Sequence, residues 1–553
     1  MKRTVSILLL TIFFLSFGAA PAAAAPDRQI LRIGLAYGGN AKPSANLANE
    51  VGEGYAFGYF EADYSFVPLA QTSYGKITVL KNKLMYIGSD KKYYDTAPSS
   101  VSAVIGPYRV QPAASFSSAK EAQKYASSLA AQSFLAFPAY IDGVYVVRIG
   151  NYTTEDEARA ASSSLSDALG GLSCKVIAPS KSAYTVAVTG TENVIFEYDT
   201  GTTFAIQPLS DEGDAKTWFS GYNYYGAFEY NRVNGNDITV VNIVELEDYV
   251  KGVIPYEMSA SWPIEALKAQ ALCARSYALR NLNKHASAGF DLCNTTDCQV
   301  YRGTSHASAN SDAAVDETAG LYVTYNGQIC QTFYHAASGG ATENSENVWN
   351  EAIPYLRAVE DQFEDNITFT GKTWSYTISP LTVTKILQSK NYSVSSIVDV
   401  YVDAYTDAGN VYGLSFVDAS GKVQRVTKEA ARTILNSSAY GTYVHSQRFT
   451  ISADAELYYL NSQLPASLQQ SYAIGADGKI ERVLLRPAQV SLLSASGISK
   501  IEVDNDNFHI NGRGSGHNVG MSQQGARGMA LEGYDYRAII KHYYTDVTIS
   551  SVD

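Results

Sequence analysis

Val253-Ile254-Pro255-Tyr256-Glu257-Met258 leads through a short linker into Trp262-Pro263-Ile264-Glu265-Ala266-Leu267-Lys268-Ala269-Gln270-Ala271-Leu272-Cys273-Ala274-Arg275-Ser276-Tyr277. The β-branched residues before Pro255 read as a strand that the proline brings to an end, since proline has no N–H to give to a ladder. Glu257 then falls on a loop, and the run after Pro263 reads as a helix made mostly of small residues. Such an arrangement holds one glutamate at the mouth of a cleft whose walls are packed and poorly hydrated. Loss of water raises a carboxyl pKa and keeps its proton available for general-acid work near neutral pH. Taken alone, the same residues fit a solvated loop carboxylate as well, and the choice rests on the remainder of the chain.

The chain opens Met1-Lys2-Arg3, carries no charge from Thr4 to Ala25, and reaches Ala22-Ala23-Ala24-Ala25. A short basic region, an apolar run and a cluster of small residues describe a secretory signal peptide over residues 1–25. The apolar run is also long enough for an uncleaved membrane anchor, although Pro21 and the alanines favour cleavage. The expected location is therefore secreted or in the cell envelope, outside the cytoplasmic membrane. More than 500 residues remain of the 553, enough for several domains with real cores. Charged residues make up 17% and hydrophobic ones 46%, a folded composition. The net charge of −12 excludes a general nucleic-acid binder. Tyrosine is abundant at 41 residues, which extended β structure largely explains. Five cysteines are an odd number and too few for a disulfide scaffold. Only Cys293 and Cys298 lie close enough in sequence to share a task.

Residues 29–104 read as short strands and turns. Between 106 and 180 there is an internal echo. Tyr108-Arg109-Val110-Gln111 leads into Phe116-Ser117-Ser118-Ala119-Lys120-Glu121-Ala122 and a helical pattern; Tyr145-Val146-Val147-Arg148-Ile149-Gly150-Asn151-Tyr152 leads into Thr153-Thr154-Glu155-Asp156-Glu157-Ala158 and a second one. Each unit is strand, N-cap Ser or Thr, helix, strand. Two such units make a four-stranded sheet with both helices on one face and the other face open. The pattern resembles the sporulation-related repeat (SPOR) domain, which implies binding to peptidoglycan glycan strands stripped of their peptides. The expected fold class is thus α+β and multidomain: a small four-stranded antiparallel-sheet repeat domain, then a larger mixed α+β domain of catalytic type over 185–548.

That larger segment holds the distinctive motifs. Asn242-Ile243-Val244-Glu245-Leu246-Glu247-Asp248-Tyr249-Val250-Lys251-Gly252-Val253 precedes Glu257. Downstream stand Asp291-Leu292-Cys293-Asn294-Thr295-Thr296-Asp297-Cys298-Gln299-Val300-Tyr301 and His335-Ala336-Ala337-Ser338-Gly339-Gly340-Ala341-Thr342-Glu343. Near the end comes Gly512-Arg513-Gly514-Ser515-Gly516-His517-Asn518-Val519-Gly520-Met521-Ser522-Gln523-Gln524-Gly525-Ala526-Arg527. The last superficially looks like a phosphate loop, but an exported protein has no nucleotide pool to use, and no nucleotide is expected as a partner. In this order the four motifs resemble the stage II sporulation protein D family, which includes amidase enhancers. The resemblance covers roughly 236–372, 395–450 and 507–548, with about 454–505 reading as an insertion.

What the resemblance implies is a lytic transglycosylase that cuts between N-acetylmuramic acid and N-acetylglucosamine in denuded glycan, with Glu257 as the catalytic acid and base. Because the attacking hydroxyl belongs to the substrate, one carboxylate suffices, unlike in ordinary glycosidases. The implied substrate-binding residues are Arg275, Tyr277, Ser338, Gly339, Gly340, His517 and Gln523, with His517 either binding sugar or orienting Glu257. His285, Cys293 and Cys298 combine an imidazole with two soft thiolates, which suits zinc in a structural role, and family members bind zinc through a comparable set. A Cys293–Cys298 disulfide is the alternative for an exported protein. The chain departs from the family pattern at Ser515, where an aromatic residue is usual, at Asn518, where glycine is usual, and at Asp297, where histidine is common. The intact Glu257 points to an enzyme. The departures at Asp297 and Ser515 point instead to a non-catalytic glycan-binding enhancer that stimulates a cell-wall amidase. A zinc hydrolase is disfavoured, since no general base stands at a recognisable spacing from the His/Cys/Cys set.

Overall fold

Strand Ile30–Ala36 runs antiparallel to Thr239–Glu245, with Ile30 opposite Glu245 and Gly34 opposite Val241, so the two ends of the N-terminal half meet in one sheet. This computed structural model describes residues 29–211, 215–232, 236–453 and 507–551, with the backbone of four short strands between 472 and 501. The expected signal peptide lies outside the described residues. So does the expected insertion, apart from the paired strands Tyr472–Ile474 with Ile480–Arg482 and Val490–Ser494 with Gly497–Ile501. No helix among the described residues is long and apolar enough to cross a membrane.

Two large sheets organise the N-terminal half. A seven-stranded sheet interleaves strands from before and after the 106–180 unit: Ile30–Ala36, Tyr55–Phe60 and Phe66–Thr72 pair with Thr239–Glu245, Ala227–Asn231 and Phe204–Pro208. Residues 29–104 are therefore not a separate region; the 106–180 unit is inserted between strands of a common architecture. Within that unit the helices α1 (Ala119–Ala130) and α2 (Glu155–Ala168) are capped by Ser118 and Thr154, the latter in a capping box with Glu157. Its strands pair antiparallel in the order Cys174–Ile177, Tyr108–Pro112, Val144–Tyr152, Ala136–Ile141.

Two expectations about this unit need correction. The four strands are not a free-standing sheet, because Ala136–Ile141 continues in parallel onto Val194–Asp199 and the whole sheet has ten strands. Nor is the face away from the helices open. Val110, Val147 and Ile149 pack under α1 and α2, and the alternate residues Arg109 and Arg148 point the other way into the core, 1% and 5% exposed. Both hold Glu197, and the Arg109 guanidinium lies 5.5 Å from the centre of the Phe137 ring. Phe137 in turn joins Leu80, Met85, Ile87, Ile105 and Val194. At the outer end of this face, Gln111 with Lys175 paired opposite stays half-buried to exposed.

The second half builds on helices. Thr239–Glu245, buried except at Glu245, runs directly into α3 (Leu246–Glu257). The expected strand before Pro255 is in fact this helix: Leu246, Tyr249, Val250, Val253 and Ile254 recur at helical spacing and bury one face. Against it packs α4 (Ile264–Arg280), buried along nearly its whole length, and α5 (Ala309–Asp316). A Cβ added at Gly252 would come within 2.4 Å of the Tyr301 ring. Helix propensity alone predicts that Gly252→Ala stabilises by about 1 kcal/mol; the collision reverses the sign, and urea denaturation should show a loss of roughly 1–3 kcal/mol.

A separate core gathers Ile378, Ile386, Val400, Leu414, Phe416 and Ile510. From its sheet of Thr373–Ile378, Phe508–Arg513 and Phe449–Ala453, the glycine-rich segment returns to α4 and begins the helix Gln523–Leu531. The architecture is mixed α+β and multidomain.

Candidate active site

Glu257 is the last residue of α3, half-buried, at the point where Pro255 has removed an N–H from the helical ladder. Its Oε1 accepts from the Val300 amide at 3.0 Å and its Oε2 from Gln523 Nε2 at 3.2 Å. Gln523 stands at the first turn of its helix, whose N-cap Ser522 accepts from the Gly525 amide. Its amide also reaches Gln270 Oε1, a buried acceptor on α4, at 3.5 Å. Behind Glu257, Tyr334 donates to Gln299 at 2.8 Å, and Gln299 donates to Tyr249 at 3.1 Å and to the Ala274 carbonyl at 3.2 Å. No Lys, Arg or His lies within ion-pair distance of the carboxylate among the described residues, and no second carboxylate bears on it. Burial therefore raises the Glu257 pKa above the ordinary glutamate value, opposed by the hydrogen bonds from Val300 and Gln523.

Aromatic rings surround this end of α3. Tyr256 stacks on His306 with ring centres 4.9 Å apart and meets Tyr222 edge-on at 5.9 Å. Arg302 lies over Tyr222 and Arg527 over Trp262, at 5.5 and 5.0 Å. A second group joins Tyr277 to Phe333, Phe333 to Trp349 at 4.5 Å, and Trp349 to His517 at 5.1 Å.

The residues expected to bind substrate separate into two sets. Gln523 touches Glu257. Tyr277 and His517 belong to the aromatic group just described, but His517 does not orient Glu257. Its Nδ1 accepts from the Val519 amide at 3.2 Å, its ring bonds the Tyr334 backbone, and burial lowers its pKa to about 4. Arg275 is wholly buried; it holds Glu247 at 2.8 and 2.6 Å and the carbonyls of Leu321 and Val315. The Ser338 and Gly339 amides both donate to Glu364, at 2.5 and 2.9 Å, and the Gly340 amide donates to Ser338 Oγ. This turn is thus fastened from within, and Gly339 (φ 75°) could not carry a Cβ, which would meet the Arg513 backbone at 2.8 Å. Asn518, in place of the glycine usual in the family, has φ 63°, a left-handed conformation that asparagine tolerates, and its amide donates to the Ser338 carbonyl at 2.7 Å. Glu343 accepts from Asn344, Asn347, Thr406 and Asn410 and is no second catalytic carboxylate.

Glu364 also accepts from Ser522 Oγ at 2.6 Å, and beside it Asp361 accepts from Ser338 Oγ at 2.9 Å. Burial, and then the neighbouring Glu364, push the Asp361 pKa up to about 7. A carboxyl that keeps its proton in the folded state stabilises fully below the unfolded pKa near 3.8 and loses that contribution as pH rises through 7. Asp361→Asn should therefore flatten the decline of stability between pH 4 and 7, at most about 1.4 kcal/mol per pH unit, as read by denaturant unfolding at both ends of that range.

The metal candidates converge. One ligand atom each from His285, Cys293, Asp297 and Cys298 lies within 4.8 Å of the other three. Cys298 Sγ is 3.3 Å from His285 Nε2, and none of the five cysteines forms a disulfide. A hydrogen bond from Cys298 lowers the Cys293 pKa while the Cys298 pKa rises, the mark of two thiols sharing one proton. Strand Leu292–Cys293 anchors the set by pairing in parallel with Ile33 and Gly34.

Sequence reasoning did not single out Val300, Gln270, Gln299 and Tyr334. Gln270, alone among small apolar neighbours on α4, carried the one usable signal.

With this geometry in hand, comparison places the protein among those that combine a SPOR domain with a sporulation-type domain: residues 105–178 match the SPOR domain model and 234–325 the model described as stage II sporulation protein. A protein of Brachyspira hyodysenteriae, itself uncharacterised, is 34% identical over 331 residues, covering 60% of this chain and 73% of that protein. The amidase enhancer of Bacillus subtilis is 30% identical over 303 residues, 55% of this chain but 40% of the enhancer. Stage II sporulation protein D of the same organism is 27% identical over 329 residues, 57% of this chain and 76% of that protein. The chain belongs to the stage II sporulation protein D family. Family and SPOR domain together tie it to the bacterial cell envelope and to a cell-wall role.

Proposed function

We propose that this is an exported peptidoglycan lytic transglycosylase acting on peptide-stripped glycan strands, with Glu257 as acid and then base. One observation carries the reading: Glu257 is a half-buried carboxyl held by neutral donors, with no cation and no second carboxylate beside it among the described residues. Protonated, it gives its proton to the glycosidic oxygen as the bond from the muramic acid anomeric carbon breaks. As carboxylate it takes the proton of the muramic 6-hydroxyl while that oxygen bonds the same carbon, closing a 1,6-anhydro ring. No water and no protein nucleophile enters. Gln523 and the Val300 amide orient the carboxyl. His517, with Phe333 and Trp349, offers ring faces to the sugars, and the buried Tyr277 backs Phe333. Arg275, Ser338, Gly339 and Gly340 support the cleft, because their polar groups are engaged within the protein.

The SPOR domain would hold the same polymer through the outer end of its sheet at Gln111 and Lys175, which raises the local concentration of substrate. The donor set of His285, Cys293 and Cys298 fits a structural zinc ion, which would tie the loop beside the cleft. The non-catalytic alternative, a glycan-binding stimulator of a cell-wall amidase, is favoured by the identity to the amidase enhancer.

The deciding experiment incubates purified protein with amidase-stripped glycan and reads the products by mass spectrometry. New 1,6-anhydromuramic ends support the transglycosylase. Binding without new ends, combined with faster peptide release by an added amidase, would replace it with the enhancer.

A further inference from the structure

We infer that Asp297 is the fourth ligand of the zinc site and closes it. This rests on the reading of His285, Cys293 and Cys298 as ligands, and it concerns one of the three positions where this chain departs from the family pattern. Asp297 Oδ2 stands 3.2 Å from His285 Nε2 and 3.9 Å from Cys293 Sγ, while Cys298 Sγ is 3.3 Å from the same imidazole nitrogen. Ligand atoms about 2.0–2.3 Å from a tetrahedral zinc ion stand about 3.3–3.8 Å from one another. The three spacings lie at or close to that range without any rearrangement of the backbone.

The charges also agree. Two thiolates and a carboxylate bring three negative charges against the two positive charges of zinc. The remaining negative charge faces Lys284, whose Nζ is 3.3 Å from Asp297 Oδ2 and also bonds the Asp297 carbonyl. Four protein ligands leave no position for a reactive water, which assigns the metal a structural task. That task has a definite address. Cys298 lies two residues before Val300, whose amide holds Glu257, and next to Gln299, which holds Tyr334 and Tyr249. Ligation at Cys298 fixes one wall of the acid's pocket.

The competing account makes Asp297 a surface partner of Lys284 alone, since its side chain is 62% exposed. That exposure also means that Asp297→Asn leaves the fold intact. Zinc content would be measured on the full-length protein by mass spectrometry, zinc affinity by competition with a chelator, and geometry from the absorption spectrum of the cobalt-substituted protein. The wild-type chain should hold one zinc, and Asp297→Asn should bind it at least tenfold more weakly and show altered cobalt bands as water enters the vacated position. Equal affinity and an unchanged cobalt spectrum in Asp297→Asn would overturn the fourth ligand while leaving the other three. A wild-type protein that takes up no zinc would overturn both together.

Discussion

Glu257→Gln should lower the rate at which 1,6-anhydromuramic ends appear by about a hundred- to ten-thousandfold, with glycan affinity unchanged within about twofold. The substitution is close to isosteric. Its carbonyl oxygen can still accept from the Val300 amide, so the wall of the cleft keeps its shape. What disappears is the proton. The site has no replacement, because the nearest groups are the amides of Val300 and Gln523 and the phenol of Tyr334, whose pKa burial raises well above the ordinary value. Tyr334 therefore cannot supply a base, and among the described residues no second carboxylate bears on the position. The pH profile gives an independent check. Protonated Glu257 starts the reaction, so the alkaline limb of the wild-type rate should lie above the ordinary glutamate range and should be missing from the residual rate of the variant. A loss of less than tenfold would mean that another group carries the proton.

Much of this site could be read from the amino-acid sequence because its parts are local. The Ser118 and Thr154 caps announced their helices, and the ordered motifs placed Glu257, Cys293, Cys298 and Gln523 in one domain, with His285 close by in sequence. What escaped was whatever depended on distant partners. Val253-Ile254-Pro255 has the local preferences of a strand, yet the helical spacing from Leu246 to Ile254 buries one face against the core, and tertiary packing overrides propensity. Ser338-Gly339-Gly340 looks like a substrate loop until Glu364, some 25 residues on, is seen to occupy its amides. The departures at Asn518 and Asp297 take their sense from geometry: the first is a left-handed turn, and the second stands with His285, Cys293 and Cys298 in one cluster of donor atoms. No local pattern could show that strands on either side of the 106–180 unit pair with each other, since strand pairing leaves no mark in either partner alone.

Glu197→Ala should destabilise the protein by about 3–5 kcal/mol, a large part of the stability of an ordinary domain. In Val194-Ile195-Phe196-Glu197-Tyr198-Asp199 the alternation puts Glu197 on the polar side, yet it is fully buried. It receives Arg109 at 2.8 Å, Arg148 at 2.7 Å and Thr185 at 3.0 Å, joining the 106–180 unit to the strands beside it. Burial acts to raise its pKa, but Arg109 and Arg148 outweigh burial and hold it below the ordinary value. The stabilisation is thus present above the unfolded carboxyl pKa and is lost as pH falls through the lower folded value. Truncation leaves two guanidinium groups in the core without a counter-charge, and that unpaired state, more than the lost attraction, sets the cost. Replacing all three charged residues together, as Glu197→Leu with Arg109→Met and Arg148→Met, should therefore recover most of the loss, which separates the two causes. Denaturant unfolding gives the magnitude, and limited proteolysis locates it: cleavage should quicken first within 106–180, whose hold on the ten-stranded sheet depends on this carboxylate. A change below 1 kcal/mol, or a triple variant no better than Glu197→Ala, would show that apolar packing around Phe137 alone keeps the unit in place.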